Sequence, residues 1–247
     1  MVENKDIVAY LKMQHDRYEV RAKNTVIDSN GISPESDEVV GNYSQHASFP
    51  YDDNILKCLD KNPSSCSIIE YGCGPGRNLL RMANRFTKVS GVDISEKNLY
   101  DAKRLLDLNS VKNYALYHTP GDCIPIQDEI FDIVFEVICL QHVCSYTIRK
   151  KILSDMARVC RLSGLVVCQF GFNEGSLRNP HYAGYYDDKL IGVTDTNGWA
   201  DCCVQSEDQL KNDFKDIGLE VVSLWYTGMV EDIWHDKWVW VCGRKGM

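Results

Sequence analysis

Short apolar runs alternate with amphipathic stretches over most of the chain after residue 66. Runs rich in branched and aromatic residues predict buried strands, and stretches whose apolar residues recur three or four positions apart predict helices. In chain order the segments are the strand SIIEY, the helix GRNLLRMANRF, the strand KVSGVDIS, the helix EKNLYDAKRLLDL, the strands YALYH and IFDIVFEVICL, the helix TIRKKILSDMARVC and the strand GLVVCQF. This alternation predicts a mostly parallel sheet.

The C-terminal segment has a different pattern. SEDQLKNDFKDIG predicts a helix that ends at a glycine, and LEVVSLWYT and KWVWVCGR predict two strands with a short link between them. A short link favours a hairpin, so the last strand should be antiparallel. The whole pattern predicts an α/β fold of the Rossmann-like kind, a seven-stranded, mostly parallel sheet with helices on both faces and an antiparallel last strand.

Charge and composition narrow the classes of function. The formal net charge of −8 argues against a nucleic-acid binder, because such a protein needs a basic face to displace counterions from phosphates. No apolar run is long enough to predict a membrane-spanning helix, and residues 1–20 carry charges throughout and lack the apolar centre of a signal peptide. We therefore expect a cytoplasmic protein without membrane insertion.

Eleven cysteines are scattered along the chain without a Cys-x-x-Cys pair, so a thiolate metal site has little support and no metal is expected. Several lie inside apolar runs, such as Cys139 and Cys168. Free cysteine packs as a small hydrophobe, so most of the eleven should be buried thiols in a reducing compartment.

Three glycines separate the first strand of the core from its helix, in IIEYGCGPGRNLL. Glycine costs stability inside strands and helices, so Gly72, Gly74 and Gly76 need a local reason. In an open α/β sheet the ligand lies beyond the carboxyl ends of the strands, where glycines let the main chain approach it closely. The spacing differs from the G-x-G-x-x-G of dinucleotide sites, so the loop should be wider than a pyrophosphate turn.

Two carboxylates follow the next two strands. Asp93 ends VSGVD, where an acidic side chain can accept hydrogen bonds from the ribose hydroxyls of a bound adenosine. Asp122, in GDCIPIQDEIFD, lies where a carboxylate can accept from an adenine amine. Taken singly, Asp93 could be a helix-cap residue, Asp122 a turn residue and the glycines a tight connection.

In combination these segments resemble the class I S-adenosylmethionine-dependent methyltransferases, closely over 66–170 and in pattern over 206–243. EYGCGPG resembles the first motif of that family, VDIS its ribose-binding strand end, and GDCIPIQDEIFD its adenine loop. FDIVFEVICLQHV resembles its fourth strand with the following loop, and MARVCRLSGLVV the helix and turn before its fifth strand. The family usually has Lys-Pro-Gly-Gly where this chain has RLSG, in a turn distant from the cofactor.

The resemblance implies S-adenosylmethionine as the cofactor. The residues that it implies for cofactor binding are Glu70, Gly72, Gly74, Gly76, Asp93, Ile94, Asp122, Cys123 and Glu136. The glycines would line the methionine and ribose part of the cofactor, and Glu70 would hold the glycine loop or the methionine amino group. Asp93 would bind ribose, and Glu136 would approach the methionine moiety. Asp122 and Cys123 would bind adenine.

We expect a single domain over residues 1–247. Its parts would be N-terminal helices with a lid or substrate segment at 1–65, the cofactor-binding core at 66–170, an insertion on the substrate side at 171–205, and a final helix with a strand hairpin at 206–247. Within the first part, helices are predicted over 1–20 and about 52–61.

The sulfonium methyl group is already activated, so the protein must align the acceptor, exclude water and, for a hydroxyl acceptor, take its proton. His142, just past the fourth strand in CLQHV, is the leading candidate for a catalytic base, since imidazole titrates near neutral pH. The alternative is that His142 packs under the cofactor or caps the next helix. His46 is a second candidate.

Two irregular segments, 30–51 and 171–205, are candidates for acceptor recognition, because long loops in a compact domain are often lids or binding surfaces. Their aromatic residues with polar tips suit sugars, aromatic alcohols or amines. The candidates for substrate binding are Tyr43, His46, Tyr185 and Tyr186. The same aromatic residues could instead pack over the edge of the sheet.

The leading prediction is transfer of a methyl group from S-adenosylmethionine to an oxygen or nitrogen of a small molecule, with a sugar or glycan precursor as one class of acceptor. One alternative is a protein or RNA methyltransferase, which would need a basic groove or a partner subunit. Another is a non-catalytic partner protein that binds the cofactor but forms no S-adenosylhomocysteine.

Overall fold

The computed structural model describes residues 4–23, 27–28, 31–32, 51–175, 177, 182–190, 201–228 and 235–246. The helices within these residues are α1 (Asn4–Ala22), α2 (Tyr51–Leu56), α3 (Arg77–Ala83), α4 (Glu96–Leu108), α5 (Tyr146–Val159) and α6 (Glu207–Asp216). The strands are β1 (Ile27–Asp28), β2 (Gly31–Ile32), β3 (Ser67–Tyr71), β4 (Lys88–Asp93), β5 (Tyr114–His118), β6 (Phe131–Glu136), β7 (Cys160–Phe172), β8 (Ala183–Gly184), β9 (Cys202–Cys203), β10 (Leu219–Thr227) and β11 (Lys237–Lys245).

Seven strands form the central sheet, in the order β10-β11-β7-β6-β3-β4-β5. The pairs β7–β6, β6–β3, β3–β4 and β4–β5 are parallel, whereas β11 is antiparallel to both of its neighbours. The predicted fold class is therefore confirmed, including the antiparallel last strand. The order reverses between β3 and β6, which places the ligand edge of the sheet at the carboxyl ends of those strands.

Both faces of the sheet are covered, as the continuous apolar strands require. Adjacent residues of β3 point to opposite faces, with Ile69 packed in a cluster with α1, α5 and α6, and Ile68 in a second cluster with α2, α3 and α4. Val134 and Ile133 of β6 divide in the same way. Each fully buried side chain of this size contributes roughly 1.5–3 kcal/mol, so the alternation holds the strand ends in register beneath the ligand edge.

The three largest differences from the predicted element boundaries are in β6, β7 and α2. The run IFDIVFEVICL ends as a strand at Glu136, because the Glu136 carboxylate accepts hydrogen bonds from the N–H groups of Cys139 and Leu140 and turns the chain. The β7 strand begins earlier than predicted, at Cys160, and passes through Ser163 with a φ of 61°. The α2 helix is shorter than predicted and ends at Leu56.

All eleven cysteines lie among the described residues as free thiols, and eight of them are buried. The expectation that most are buried thiols is confirmed. Among the helices of the described ranges, none combines the length and apolarity needed to cross a membrane.

Candidate functional site

A cavity of about 290 Å³ opens at the carboxyl ends of β3 and β4, and a second cavity of about 30 Å³ adjoins it. Only the first has room for more than one or two water molecules. Its lining residues are Tyr10, Leu11, Gln14, Tyr18, Tyr51, Tyr71, Gly72, Gly74, Asp93, Ile94, Asn98, Gly121, Val137, Ile138, Cys139, His142, Val143, Ile148 and Trp238. The two cavities share Tyr51, Gly72, Val137 and Ile138.

The glycine loop after β3 forms one wall of this cavity. Gly72, Gly74 and Gly76 have φ angles of 74°, 50° and 87°, which L side chains rarely adopt. Gly72 and Gly74 line the cavity. Gly76 instead begins α3, and a Cβ there would lie 2.9 Å from the Cβ of Ala102 on α4. Because Gly76 has no side chain, α3 and α4 can approach each other closely.

Asp93 lies on the cavity wall and also fastens the glycine loop. Its Oδ2 accepts from the N–H of Gly74 at 2.8 Å, and its Oδ1 accepts from the N–H of Ser95 at 2.8 Å and from Asn98 Nδ2 at 3.2 Å. A carboxylate has about four lone-pair positions, so roughly one remains for a ligand. The neighbouring Oδ1 of Asn98 is buried and has no hydrogen-bond partner within the described part of the chain.

Glu70 lines the smaller cavity together with Arg77. Its Oε1 accepts from Asn78 Nδ2 at 2.6 Å, whereas Oε2 is buried and lacks a hydrogen-bond partner among the described residues. The pKa of Glu70 is raised from its ordinary value of 4.5 to about 8, chiefly by burial. The hydrogen bond from Asn78 lowers this pKa, and the nearby carboxylates of Asp93 and Glu136 raise it. A cation beside Oε2 would favour the charged form of this carboxylate.

Glu136 is fully buried and lies behind the cavity wall. Its two oxygens accept three main-chain hydrogen bonds, from Cys139, Leu140 and Gln169. Burial raises the pKa of Glu136 to about 7, against the effect of these hydrogen bonds. Glu136 thus holds the loop after β6 in place through these hydrogen bonds. Its contact with the methionine moiety stays a prediction.

The adenine loop contributes Gly121 to the wall, and Ile94 lines it from the end of β4. Asp122 and Cys123 are not among the residues at the wall. Asp122 forms an ion pair with Lys151 at 3.4 Å. Adenine binding by Asp122 and Cys123 therefore stays a prediction, whereas Ile94 and Gly121 are in position to contact a ligand.

His142 lies on the wall, in a single turn of 3₁₀ helix after β6. Its Nδ1 is 2.6 Å from Oδ1 of Asp201, and the two side chains are 22% and 14% exposed. Gln141 Nε2 donates to the other oxygen of Asp201 at 3.2 Å, and Nε2 of His235 is 4.0 Å from it. Asp201 was not predicted, because nothing in the spacing of the 171–205 segment relates it to His142.

Of the four predicted acceptor-binding residues, the two that the structure describes do not line the cavity. Tyr185 is buried elsewhere, with its hydroxyl donating to Asp213 at 2.9 Å, and Tyr186 is 47% exposed; neither lines the cavity. Tyr43 and His46 lie outside the described residues. Acceptor binding by these four residues stays a prediction.

The α1 helix supplies a part of the wall that was not predicted, through Tyr10, Leu11, Gln14 and Tyr18. These positions recur at helical spacing on one face. The periodicity that predicts α1 therefore also indicates which face of this helix is buried, but it does not show which surface that face covers.

The polar groups at the strand edge fit S-adenosylmethionine. This cofactor carries two ribose hydroxyls and an ammonium group as donors, and the buried acceptors without a partner in the described residues include Asn98 Oδ1 and Glu70 Oε2. Asp93 lies beside the first, and Arg77 lines the same small cavity as Glu70. A guanidinium there would suit the carboxylate of the methionine moiety. Carboxylates and tyrosine rings also suit a sulfonium cation.

Comparisons with known proteins agree with this geometry. A family model described as a methyltransferase domain matches residues 68–164. A demethylmenaquinone methyltransferase from Tropheryma whipplei (strain Twist) is 33% identical over 104 residues, which are 42% of this chain and 41% of the relative. A malonyl-[acyl-carrier protein] O-methyltransferase from Salmonella typhimurium is 26% identical over 141 residues, 57% of this chain and 53% of the relative. The chain thus spans about half the length, or less, of these curated relatives.

A solved structure extends the likeness to nearly the whole chain. Magnesium protoporphyrin IX methyltransferase from Synechocystis PCC 6803, with bound SAH, has a TM-score of 0.64 at 15% identity and covers 96% of this chain and 100% of its own. At this identity the likeness shows the fold. Residues 68–164 are thus similar to a methyltransferase domain, and the sheet topology shows that the chain has the fold of the class I S-adenosylmethionine-dependent methyltransferases.

Proposed function

We propose that this protein transfers the methyl group of S-adenosylmethionine to an oxygen or nitrogen of a small molecule, with His142 as the general base. The observation that carries the proposal is the pair formed by His142 and Asp201, 2.6 Å apart, on the wall of the cavity that also contains the glycine loop and Asp93. The relatives are a demethylmenaquinone methyltransferase and a malonyl-[acyl-carrier protein] O-methyltransferase, and their names support a small acceptor group.

The residues at the strand edge would hold the cofactor. Asp93 and Asn98 would accept from ribose, Ile94 and Gly121 would contact the adenine side, and Glu70 with Arg77 would take the charged methionine end. When bound, S-adenosylmethionine supplies a sulfonium methyl group, whose carbon–sulfur bond breaks with both electrons left on sulfur as the acceptor's lone pair bonds to carbon.

In this proposal His142 takes the proton that the acceptor loses. Asp201 is a carboxylate acceptor, so the imidazole donates its Nδ1–H to Asp201 and carries its basic lone pair on Nε2. Asp201 also stabilises the imidazolium that forms when Nε2 gains the proton. Gln141 fixes the carboxylate from its other oxygen, so the base is held in one tautomer and one direction.

The free thiols support a site of action in a reducing compartment, and we place the protein in the cytoplasm. The net charge of −8 and the cavity volume of about 290 Å³ favour a small acceptor over a nucleic acid.

The test is S-adenosylhomocysteine release by the whole chain with a panel of hydroxy and amino acceptors. With any acceptor that turns over, Asp201→Asn and His142→Ala should each lower kcat by roughly 10²–10⁴-fold, while the affinity for S-adenosylmethionine, measured by calorimetry, stays within about threefold. Asp216→Asn is the matched control, since this carboxylate is 64% exposed and bonds to Lys150 away from the cavity. Unchanged kcat in His142→Ala and Asp201→Asn would exclude the base assignment. Failure to bind S-adenosylmethionine would exclude the function as a whole.

A further inference from the structure

We infer that the methyl acceptor is a flat aromatic compound with a hydroxyl group, and that Gln14 accepts a hydrogen bond from that hydroxyl. This inference rests on the proposed function. It starts from the part of the cavity wall that α1 and the segment after β6 form, called here the acceptor end.

The wall at this end is apolar and aromatic. Tyr10, Tyr18, Val143, Ile148 and Trp238 line it. Asp93, at the cofactor side, is the one carboxylate among the described residues of the lining. A sugar needs several polar partners to replace its water, because each buried hydroxyl without a hydrogen bond costs affinity. Aromatic and branched side chains instead match the faces of a planar apolar molecule.

Gln14 adds a buried amide to this wall, beside His142. Its side chain is 5% exposed, and its Nε2 lies 2.6 Å from the hydroxyl of Tyr10 and 3.2 Å from the main-chain oxygen of His142. A main-chain carbonyl can only accept, so the atom beside it must be the amide nitrogen, and this settles the orientation of the amide. Tyr10 is fixed in turn, because its oxygen also accepts from the N–H of Cys144 at 3.0 Å.

This orientation leaves Oε1 of Gln14 buried without a hydrogen-bond partner among the described residues. A buried carbonyl oxygen without a donor is costly, and natural proteins rarely retain one unless a ligand or water supplies the donor. The residue also touches the backbone of the proposed base through His142 O, so a donor bound at Oε1 lies at the acceptor end of the cavity. A hydroxyl group on the aromatic acceptor supplies that donor.

The experiment compares 2-naphthol with naphthalene, which differ only in the hydroxyl group. Both are titrated into the whole chain loaded with S-adenosylhomocysteine, and glucose serves as the sugar probe. The proteins are wild type, Gln14→Leu, Gln14→Met and the control Lys12→Ala, which is an exposed position on the same helix. Thermal unfolding and S-adenosylhomocysteine affinity establish that each variant is folded.

We expect 2-naphthol to bind wild type more tightly than glucose does. The ratio of the 2-naphthol affinity to the naphthalene affinity should fall about tenfold or more in Gln14→Leu and Gln14→Met, because the hydroxyl then enters the cavity without an acceptor. The ratio should be unchanged in Lys12→Ala.

An unchanged ratio in the Gln14 variants overturns the inference, as does tighter binding of glucose or no binding of 2-naphthol to loaded wild type. If the Gln14 variants do not fold, the order of 2-naphthol, naphthalene and glucose on wild type still decides the acceptor class. Loss of S-adenosylhomocysteine binding by wild type would instead refute the proposed function, so the two failures are distinct.

Discussion

Gly72 and Cys139 connect the two loops that enclose the cavity, and a double-mutant cycle measures that connection. A Cβ at Gly72 would lie 2.2 Å from Sγ and 2.7 Å from Cβ of Cys139, and the backbone there has a φ of 74°. The left-handed conformation costs a non-glycine residue roughly 1–2 kcal/mol. Overlap with a packed side chain costs about 1–3 kcal/mol more. Gly72→Ala should therefore lower the free energy of unfolding by about 2–5 kcal/mol.

Urea unfolding measures this loss of stability. The Gly218→Ala variant separates the cost of the left-handed conformation from the cost of overlap with Cys139. Gly218 has a φ of 81°, and a Cβ added there would have no atom within 4 Å, so Gly218→Ala introduces conformational strain without overlap. The Cys139→Gly variant removes both clashing atoms, so the double variant with Gly72→Ala should show a favourable interaction free energy of about 1–3 kcal/mol. Additivity of the two substitutions within about 0.5 kcal/mol would show that the loops do not meet as described.

Glu70→Gln should flatten the pH dependence of stability. Because the pKa of Glu70 is raised to about 8 in the folded state, the native protein holds a proton that the unfolded chain has released. The free energy of unfolding of wild type therefore falls as pH rises from about 4.5 to about 8. If urea titrations show that the free energy of unfolding changes equally with pH in both proteins, the raised pKa of Glu70 is contradicted. Asp93→Asn should weaken S-adenosylmethionine binding by roughly tenfold and also lower stability, because an amide cannot accept at both oxygen positions from Gly74 and Ser95. Calorimetry measures the affinity and thermal unfolding measures the stability, and an unchanged affinity would remove Asp93 from the site. Ser206→Ala should cost about 0.5–2 kcal/mol by breaking the capping box of α6 and should leave cofactor affinity unchanged, as denaturation and calorimetry would show.

The sequence predicts the sheet and the cofactor edge well because both depend on local patterns. Strands buried on both faces give continuous apolar runs, as in β6, and the spacing of Gly72 and Gly74 reflects a conformation that the backbone needs at that point. The residues of the acceptor side depend on contacts between distant segments. Asp201 meets His142 across 59 positions, and Gln14 meets it across 128. No local pattern records such pairs.

Asp93 shows a further reason why the sequence underestimates a site. Its position at the end of β4 predicts a ribose acceptor, and the structure adds that the same carboxylate holds Gly74 and the start of α4. Substitution therefore affects stability as well as affinity. A residue can satisfy a motif and a scaffold with the same atoms, and only the contacts reveal the second role.

The α1 helix reaches both ends of the cavity, and this has a consequence for ligand binding. Glu19 accepts hydrogen bonds from Ser95 Oγ and from the N–H of Lys97 at the start of α4, beside the cofactor edge, while Gln14 touches His142. A ligand that steadies α1 at one end lowers the ordering cost of binding at the other, and such coupling is reciprocal. Cofactor and acceptor should then bind with positive cooperativity, each raising the affinity for the other by the same factor.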